Sequence, residues 1–289
     1  MNLKNLLLIV ISLTQISACT DKEDTPEAGS PFADVPVTTK LATQFPEVSG
    51  MTPSFTHPGN LWLMQDGGNP TEVSLVNSSG KLVKNVYLKG IINRDWEDMI
   101  IMRDPAQNGA DLYIADIGNN NAVAQQAAIY RFREPAAGTD TVKTFTTIQF
   151  TYPDGPRDAE AFVVDPKTMD IFIFSKKDTK SRIYRIAYPY ASNGAAEMMG
   201  ELPYNTVVGA TASQDGSEIL VKTYMNVFYY KRNTGETFTQ ALLKTPVTLG
   251  YQLELQGESI CFGSDNKGFY TLPEMPLQGD QLLSFYKRK

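Results

Sequence analysis

Apolar, β-branched and aromatic residues come in short alternating runs along most of this chain, bounded by Gly, Asn, Asp and Pro. Helical spacing is almost absent, so the pattern predicts strands. Five segments align. Each opens with a strand, at Glu47–Met51, Asp95–Met99, Asp158–Phe162, Val208–Ala212 and Gln256–Ile260. Second strands follow at Leu61–Met64, Leu112–Ala115, Ile171–Phe174, Ile219–Lys222 and Gly268–Thr271. Third strands are read at Glu72–Val76, Ile129–Phe132, Arg182–Ile186, Val227–Tyr230 and Leu282–Tyr286. Fourth strands are read at Leu82–Leu88, Phe145–Tyr152, Ala196–Leu202 and Phe238–Lys244. The fifth segment reaches Lys289 without a fourth strand, while a spare strand, Thr39–Phe45, precedes the first segment.

Matched starts lie 48 to 63 residues apart, which suits one small sheet with its loops. The arithmetic predicts an all-β chain: a β-propeller of five four-stranded blades over residues 36–289, closed by its own N-terminal strand. Six blades is the alternative, if a loop hides strands. Closure removes the open edges that an array of sheets would leave exposed. A β-sandwich would not produce five matched starts.

The first residues have a different character. Lys4 precedes an apolar run, Leu6 to Ile16, too short and too polar at its end for a stable transmembrane helix. It closes on Ile16-Ser17-Ala18-Cys19, which resembles the lipobox of bacterial lipoproteins. That resemblance implies an export signal over 1–18 and a mature chain beginning at an acylated, palmitate-type Cys19. It also implies attachment to a bacterial membrane, at the outer membrane or cell surface, with a periplasm-facing position as the alternative. The competing reading is an ordinary secretory signal with an incidental cysteine. Residues 19–35 are acidic, Pro-containing and poor in apolar side chains, and read as a tether. Asp21, Glu23 and Asp24 resemble the surface-export signals of some Gram-negative lipoproteins.

Composition excludes several classes. A net charge of −6 without basic runs argues against nucleic acid and against electrostatic membrane binding. Beyond Cys19 there is one cysteine, Cys261, so the folded domain holds no disulfide; the chain is expected to be a monomer. A single histidine, His57, leaves no parts for a histidine-rich zinc site.

First strands line the channel of a propeller, so equivalent positions form a ring there. The third residue of each is Ser49, Glu97, Glu160, Ala210 and Glu258. Three carboxylates at one level repel one another and raise their own pKa values. No Lys or Arg falls at the ring positions, so a hard divalent cation is predicted. Calcium suits mixed oxygen donors better than magnesium, and the Ser49 hydroxyl and Ala210 carbonyl would complete its shell. Solvated acids, or acids bonded to backbone amides, are the alternative.

This ring resembles that of the calcium-activated nucleotidases, or soluble apyrases, which implies a five-bladed propeller with one axial calcium. The likeness covers Ser49, Glu97, Glu160 and Glu258 and departs at Ala210, where that family has a second serine and this chain has Thr211 only alongside. The rest of that family's nucleotide site has no counterpart. A likeness along almost the whole domain is to secreted bacterial propellers that neighbour the quorum-sensor-regulated and lactonase-like ones. It is carried by Asp95-Trp-Glu-Asp98, Leu112 to Asn120, Tyr152 to Ala161 and Gln256-Gly-Glu-Ser259, and it implies a fold without a reaction.

Around the channel the second-strand ends contribute Asp66, Asp116, Asn119, Asn120, Lys176, Lys177, Lys222 and Tyr224, with Arg94 and Arg157 just before the ring acids. A cation beside such basic groups suits a phosphate or carboxylate ligand. Ordinary salt bridges between blades are the other reading. Two functions remain. The favoured one is an envelope scaffold that binds an anionic small molecule or an envelope protein and is not an enzyme. The alternative is a metal-dependent hydrolase of phosphoesters, such as nucleotides, or of lactones, with Asp95 or Asp158 as base.

Overall fold

A computed structural model describes residues 29–103, 109–276 and 278–289. The predicted export signal, Cys19 and most of the predicted tether lie outside the described residues. Among those described, no helix is long and apolar enough to cross a membrane.

The chain folds into five small sheets arranged as a five-bladed β-propeller. Blade one is Val48–Pro53, Asn60–Gln65, Glu72–Asn77 and Leu82–Leu88. Blade two is Trp96–Arg103, Ala110–Asp116, Ala127–Arg133 and Thr146–Thr151. Blade three is Ala159–Val164, Ile171–Ser175, Arg182–Ile186 and Glu197–Glu201, and blade four is Val207–Ala212, Glu218–Thr223, Val227–Lys231 and Val247–Thr248. Blade five is Gly257–Phe262, Gly268–Pro273 and Leu282–Lys287, completed by Val37–Lys40 from the N-terminal side. Each first strand packs on the first strands of both neighbouring blades, blade five on blade one included, so the ring is closed.

Two blades carry an extra outer strand. Thr141–Val142, from the last loop of blade two, runs parallel to Leu82–Leu88 of blade one. Asn193–Ala195, from blade three, does the same to Thr146–Thr151 of blade two. Both cover outer edges that would otherwise offer unpaired amides.

Three boundaries differ from the expectation. The closing strand is Val37–Lys40, paired antiparallel from Val37↔Phe285 to Lys40↔Leu282, rather than Thr39–Phe45. Leu41 and Phe45 instead leave the sheet and enter the core between blades five and one, with the Gln281 side chain bonded to both the N–H and the C=O of Phe45 at 2.9 Å. The expected fourth strand of blade four, Phe238–Lys244, contains a short helix, Phe238–Leu242. Thr237 and Gln240 form a capping box, and Phe238, Ala241 and Leu242 are buried at helical spacing. The strand proper comes later, at Val247–Thr248. Nor is the predicted tether free throughout: Phe32 is 0 % exposed, edge-on to Tyr229 and Phe269.

The core lies between blades rather than at the axis. Four apolar clusters fill the gaps, with Trp96 and Trp62 between blades one and two and Cys261 between five and one. Both tryptophans and the free Cys261 are therefore packing residues.

Candidate metal centre

The five first strands share one irregularity. Pairing with the second strand skips a residue between Val48 and Gly50, Trp96 and Asp98, Ala159 and Ala161, Val207 and Gly209, and Gly257 and Ser259. A β-bulge of this kind leaves one residue out of the ladder and re-aims its side chain. The bulged residues are Ser49, Glu97, Glu160, Val208 and Glu258. Blade four therefore presents Val208 at the ring, and Ala210 sits two residues further on, level with Met51 and Met99. The expected placement of Ala210 is corrected by this register.

Carboxylate oxygens of Glu97, Glu160 and Glu258 lie within 4.8 Å of one another, and all three residues are buried. A second trio, Asp66, Asp95 and Glu97, meets the same limit at the more open end. These groups could hold a metal ion. Ser49 is buried nearby with its hydroxyl donating to the Trp96 carbonyl at 3.1 Å.

Compensation within the ring is incomplete. No basic residue stands at the ring positions, but Lys176, just beyond a second strand, donates to Glu160 Oε1. Tyr224 donates to Glu258 Oε1 at 2.7 Å. Glu160 Oε2 is buried without a hydrogen-bond partner. Glu97 is 4 % exposed, and no hydrogen bond or ion pair reaches either of its oxygens among the described residues. Its carboxylate occupies the space beside Gly118, where a Cβ would meet Glu97 Oε1 and the Asp95 carboxyl group. Three glutamates against one lysine leave a formal charge of −2, matched to one divalent cation.

The electrostatics follow. Burial, then the charges of Glu160, Asp66, Asp95 and Glu258, raise Glu97 well above the carboxylate range. Burial and the Glu258 charge push Glu160 up to about 8, against the pull of Lys176. Burial lifts Asp66 to about 6, with Asp95 and Glu258 adding to it and the Gly67 amide opposing. Asp95 is raised by burial and held back by Arg94.

The residue just beyond each second strand forms a second tier around the ring: Asp66, Ile117, Lys176, Tyr224 and Glu274. Glu274 was not anticipated, although it holds the same place as Asp66 and Lys176. Burial, with Glu258 and Asp66 adding repulsion, pushes it up to about 7.

Other expected face residues are engaged elsewhere. Lys222 is 0 % exposed, donates to the Gly257 carbonyl and lies 4.8 Å over the Tyr251 ring. It stands where blade three has the core residue Phe174, so it points between blades. Asp116 pairs with Arg94 at 2.9 Å. Asn119 folds its own loop by accepting from the Val123 and Ala124 amides at 3.0 Å. Arg157 is held by Asp154 at 2.9 Å and Tyr184 at 3.1 Å. Asp158 accepts from the Asn119 amide at 2.8 Å and pairs with Lys177 at 2.9 Å, which makes it a clamp rather than a free base. Asp95 remains beside Glu97, partly exposed. Other partners thus engage most of these groups, within a blade for Asp116 and Arg157 and between blades for Lys222 and Asp158, while Asp66, Lys176 and Tyr224 face the ring.

One level below the ring the equivalent residues are Gly50, Asp98, Ala161, Gly209 and Ser259. Four are small because backbones meet there: a Cβ on Gly209 would lie 2.3 Å from the Glu258 carbonyl oxygen, and one on Gly50 2.7 Å from the Met99 nitrogen. Asp98 is the exception. Its carboxylate accepts from the Met99 and Phe162 amides at 2.7 and 3.3 Å, and from the Ala210 amide. Partners on blades two, three and four place it across the channel. Burial raises its pKa well above the usual range despite those three donors.

No family model and no curated protein matches the chain. Among solved structures it is similar to the Kuenenia stuttgartiensis hydrazine synthase, at 10 % identity and a TM-score of 0.44, over 84 % of this chain and 71 % of that one. It is also similar to XC5397 of Xanthomonas campestris, a gluconolactonase, at 10 % identity and 0.47, over 80 % and 69 %. A luciferin-regenerating enzyme matches at 10 % identity and 0.47, over 87 % and 95 %. The five-bladed fold itself rests on the sheets described above.

Proposed function

We propose that this chain is a cation-binding envelope propeller whose acid ring holds one calcium ion and whose ring-side face receives an anionic ligand. Glu97 carries the reading. A buried carboxylate without a donor or counter-charge is costly, and a cation removes that cost. Glu160 meets Lys176 through Oε1 but its buried Oε2 has no hydrogen-bond partner, and the donors are hard oxygens, which suits calcium. Glu97, Glu160 and Glu258 would hold the ion, with Ser49 at the same level. Bound calcium would supply a positive centre for a phosphate or carboxylate group, and Lys176 and Tyr224 flank the place such a group would occupy. The lipobox-like segment supports attachment through Cys19, with the propeller outside the bilayer.

Calorimetric titration of the metal-free protein tests the reading. One calcium per chain is expected, with magnesium weaker, and Glu97→Gln abolishing the binding. No heat with calcium, together with no metal in the purified protein by elemental analysis, sinks it.

A hydrolase is the second reading, favoured by Asp66 and Asp95 beside Glu97 at the more open end of the ring. Either could take a proton from water next to the ion. Calcium-dependent turnover of a nucleotide or lactone that is lost in Asp95→Asn would support it. Intact calcium binding without turnover would leave the binding role alone.

A further inference from the structure

At the other mouth of the channel, where the first strands end, lies a cavity of about 400 Å³. All five first strands reach it, through Pro53, Met102, Val164, Ala212 and Phe262. That size falls within the range of roughly 300–1,000 Å³ typical of small-molecule pockets. Its chemistry is the inverse of the acid ring. Among the described residues no Asp or Glu lines it, and Arg103 is the one charged side chain there.

Arg103 is positioned at the rim. Its guanidinium lies over the Phe55 ring, 4.2 Å from the centroid, and its Nε donates to Gln214 Oε1 at 3.3 Å. No carboxylate among the described residues pairs with its terminal nitrogens. Deeper in, the Thr52 and Thr211 hydroxyl oxygens accept from the Ile101 and Phe262 amides at 3.0 and 3.5 Å. Each hydroxyl keeps its own proton to donate. An apolar wall, a cation at the rim and two hydroxyl donors make the pocket a receiver of acceptors on an apolar body. Asp98, with amide partners on three blades, lies between this cavity and the ring.

We propose that this cavity is a second ligand site, for a small apolar molecule bearing one carboxylate that Arg103 holds. The test is calorimetric titration of the full chain with octanoate, octanol and octylamine. Octanoate should bind more tightly than octanol, and octylamine should be the weakest. Arg103→Met should weaken octanoate roughly tenfold or more, as loss of a charge-assisted pair implies, while leaving octanol unchanged. Ala212→Trp, which fills the cavity, should abolish binding of all three. Calcium, chelator and Glu97→Gln should leave the octanoate affinity unchanged. Octylamine binding as tightly as octanoate, no octanoate binding at millimolar concentration, or an unaltered Arg103→Met affinity would each overturn the proposal. So would octanoate binding that survives Arg103→Met and disappears in Glu97→Gln, since that would assign the carboxylate to the acid ring.

Discussion

Without a cation in the acid ring, the protein should become less stable as pH rises. Glu160 is pushed from 4.5 up to about 8 in the folded chain, so between those values the native state holds a proton that the unfolded chain has released. Stability is then fully present below about 4.5 and falls as pH climbs through 8. Between pH 5 and 7.5 this one group accounts for about 3 kcal/mol, at about 1.4 kcal/mol per pH unit once the unfolded carboxyl has ionised. Glu97, Asp66 and Glu274 shift in the same direction and add to it. For a domain of this size 3 kcal/mol corresponds to a fall of about 6–12 °C in Tm. On the proposed reading calcium would bind the deprotonated ring, and at a hundredfold excess over its Kd it would return about 2.7 kcal/mol. Scanning calorimetry in a chelator at pH 5.0, 6.0, 7.0 and 7.5, repeated in excess calcium, reads the effect directly. The chelated curve should slope downward and the calcium curve should be nearly flat. Glu160→Gln should flatten the chelated curve and shrink the calcium response. A chelated Tm that is level or rising across this window, and identical to the calcium curve, would refute both the repulsion and the site.

Cys19→Ala should move the protein from the membrane fraction to the soluble one, or leave it uncleaved; unchanged fractionation, with no fatty-acid label in wild type, would contradict the anchor. Phe32→Ala should cost about 3–5 kcal/mol by emptying a filled aromatic site, whereas a chain starting at Gly29 should melt like the full domain, both read by chemical denaturation. Asp98→Ala strands amides of three blades and should cost about 3 kcal/mol or more. Asp98→Asn keeps an acceptor and should cost much less, and equal losses in the two variants would remove the proposed role of Asp98 across the channel.

The blades were legible because short apolar, β-branched and aromatic runs bounded by turn residues recur at matched places, the second strands as continuous buried runs, and the acids because three of five repeats place Glu at the bulge. What escaped notice follows from local physics. A bulge adds a residue without changing the apolar pattern, so Val207-Val208-Gly209-Ala210 offers no polar marker of its register. Phe238–Lys244 reads as a β-rich run, yet Thr237 and Gln240 cap it as a helix. Lys176 and Lys222 look alike in sequence. The first lies past the end of its strand and reaches the ring, while the second lies inside its strand and is buried between blades. The alternative reading as inter-blade contacts fits Lys222, which meets Gly257, and Asp158, which meets Asn119, whereas Asp116 and Arg157 pair within their own blades. Asp98 could have been noticed as the one acid in a tier of Gly, Ala and Ser.

Val37–Lys40 completes blade five through four antiparallel residue pairs, with Phe32 bridged to Arg288 just before it, and it lies immediately after the segment that would lead to an anchor at Cys19. Any tension on that segment first meets Phe32 and then these four pairs. Peeling them frees the edge of blade five, the blade that carries Glu258. A cation held jointly by Glu97, Glu160 and Glu258 would tie blade five to blades two and three, acting as a rivet across the ring. Mechanical strength and ion occupancy would then be one property, with the emptied propeller opening under a lower load than the filled one.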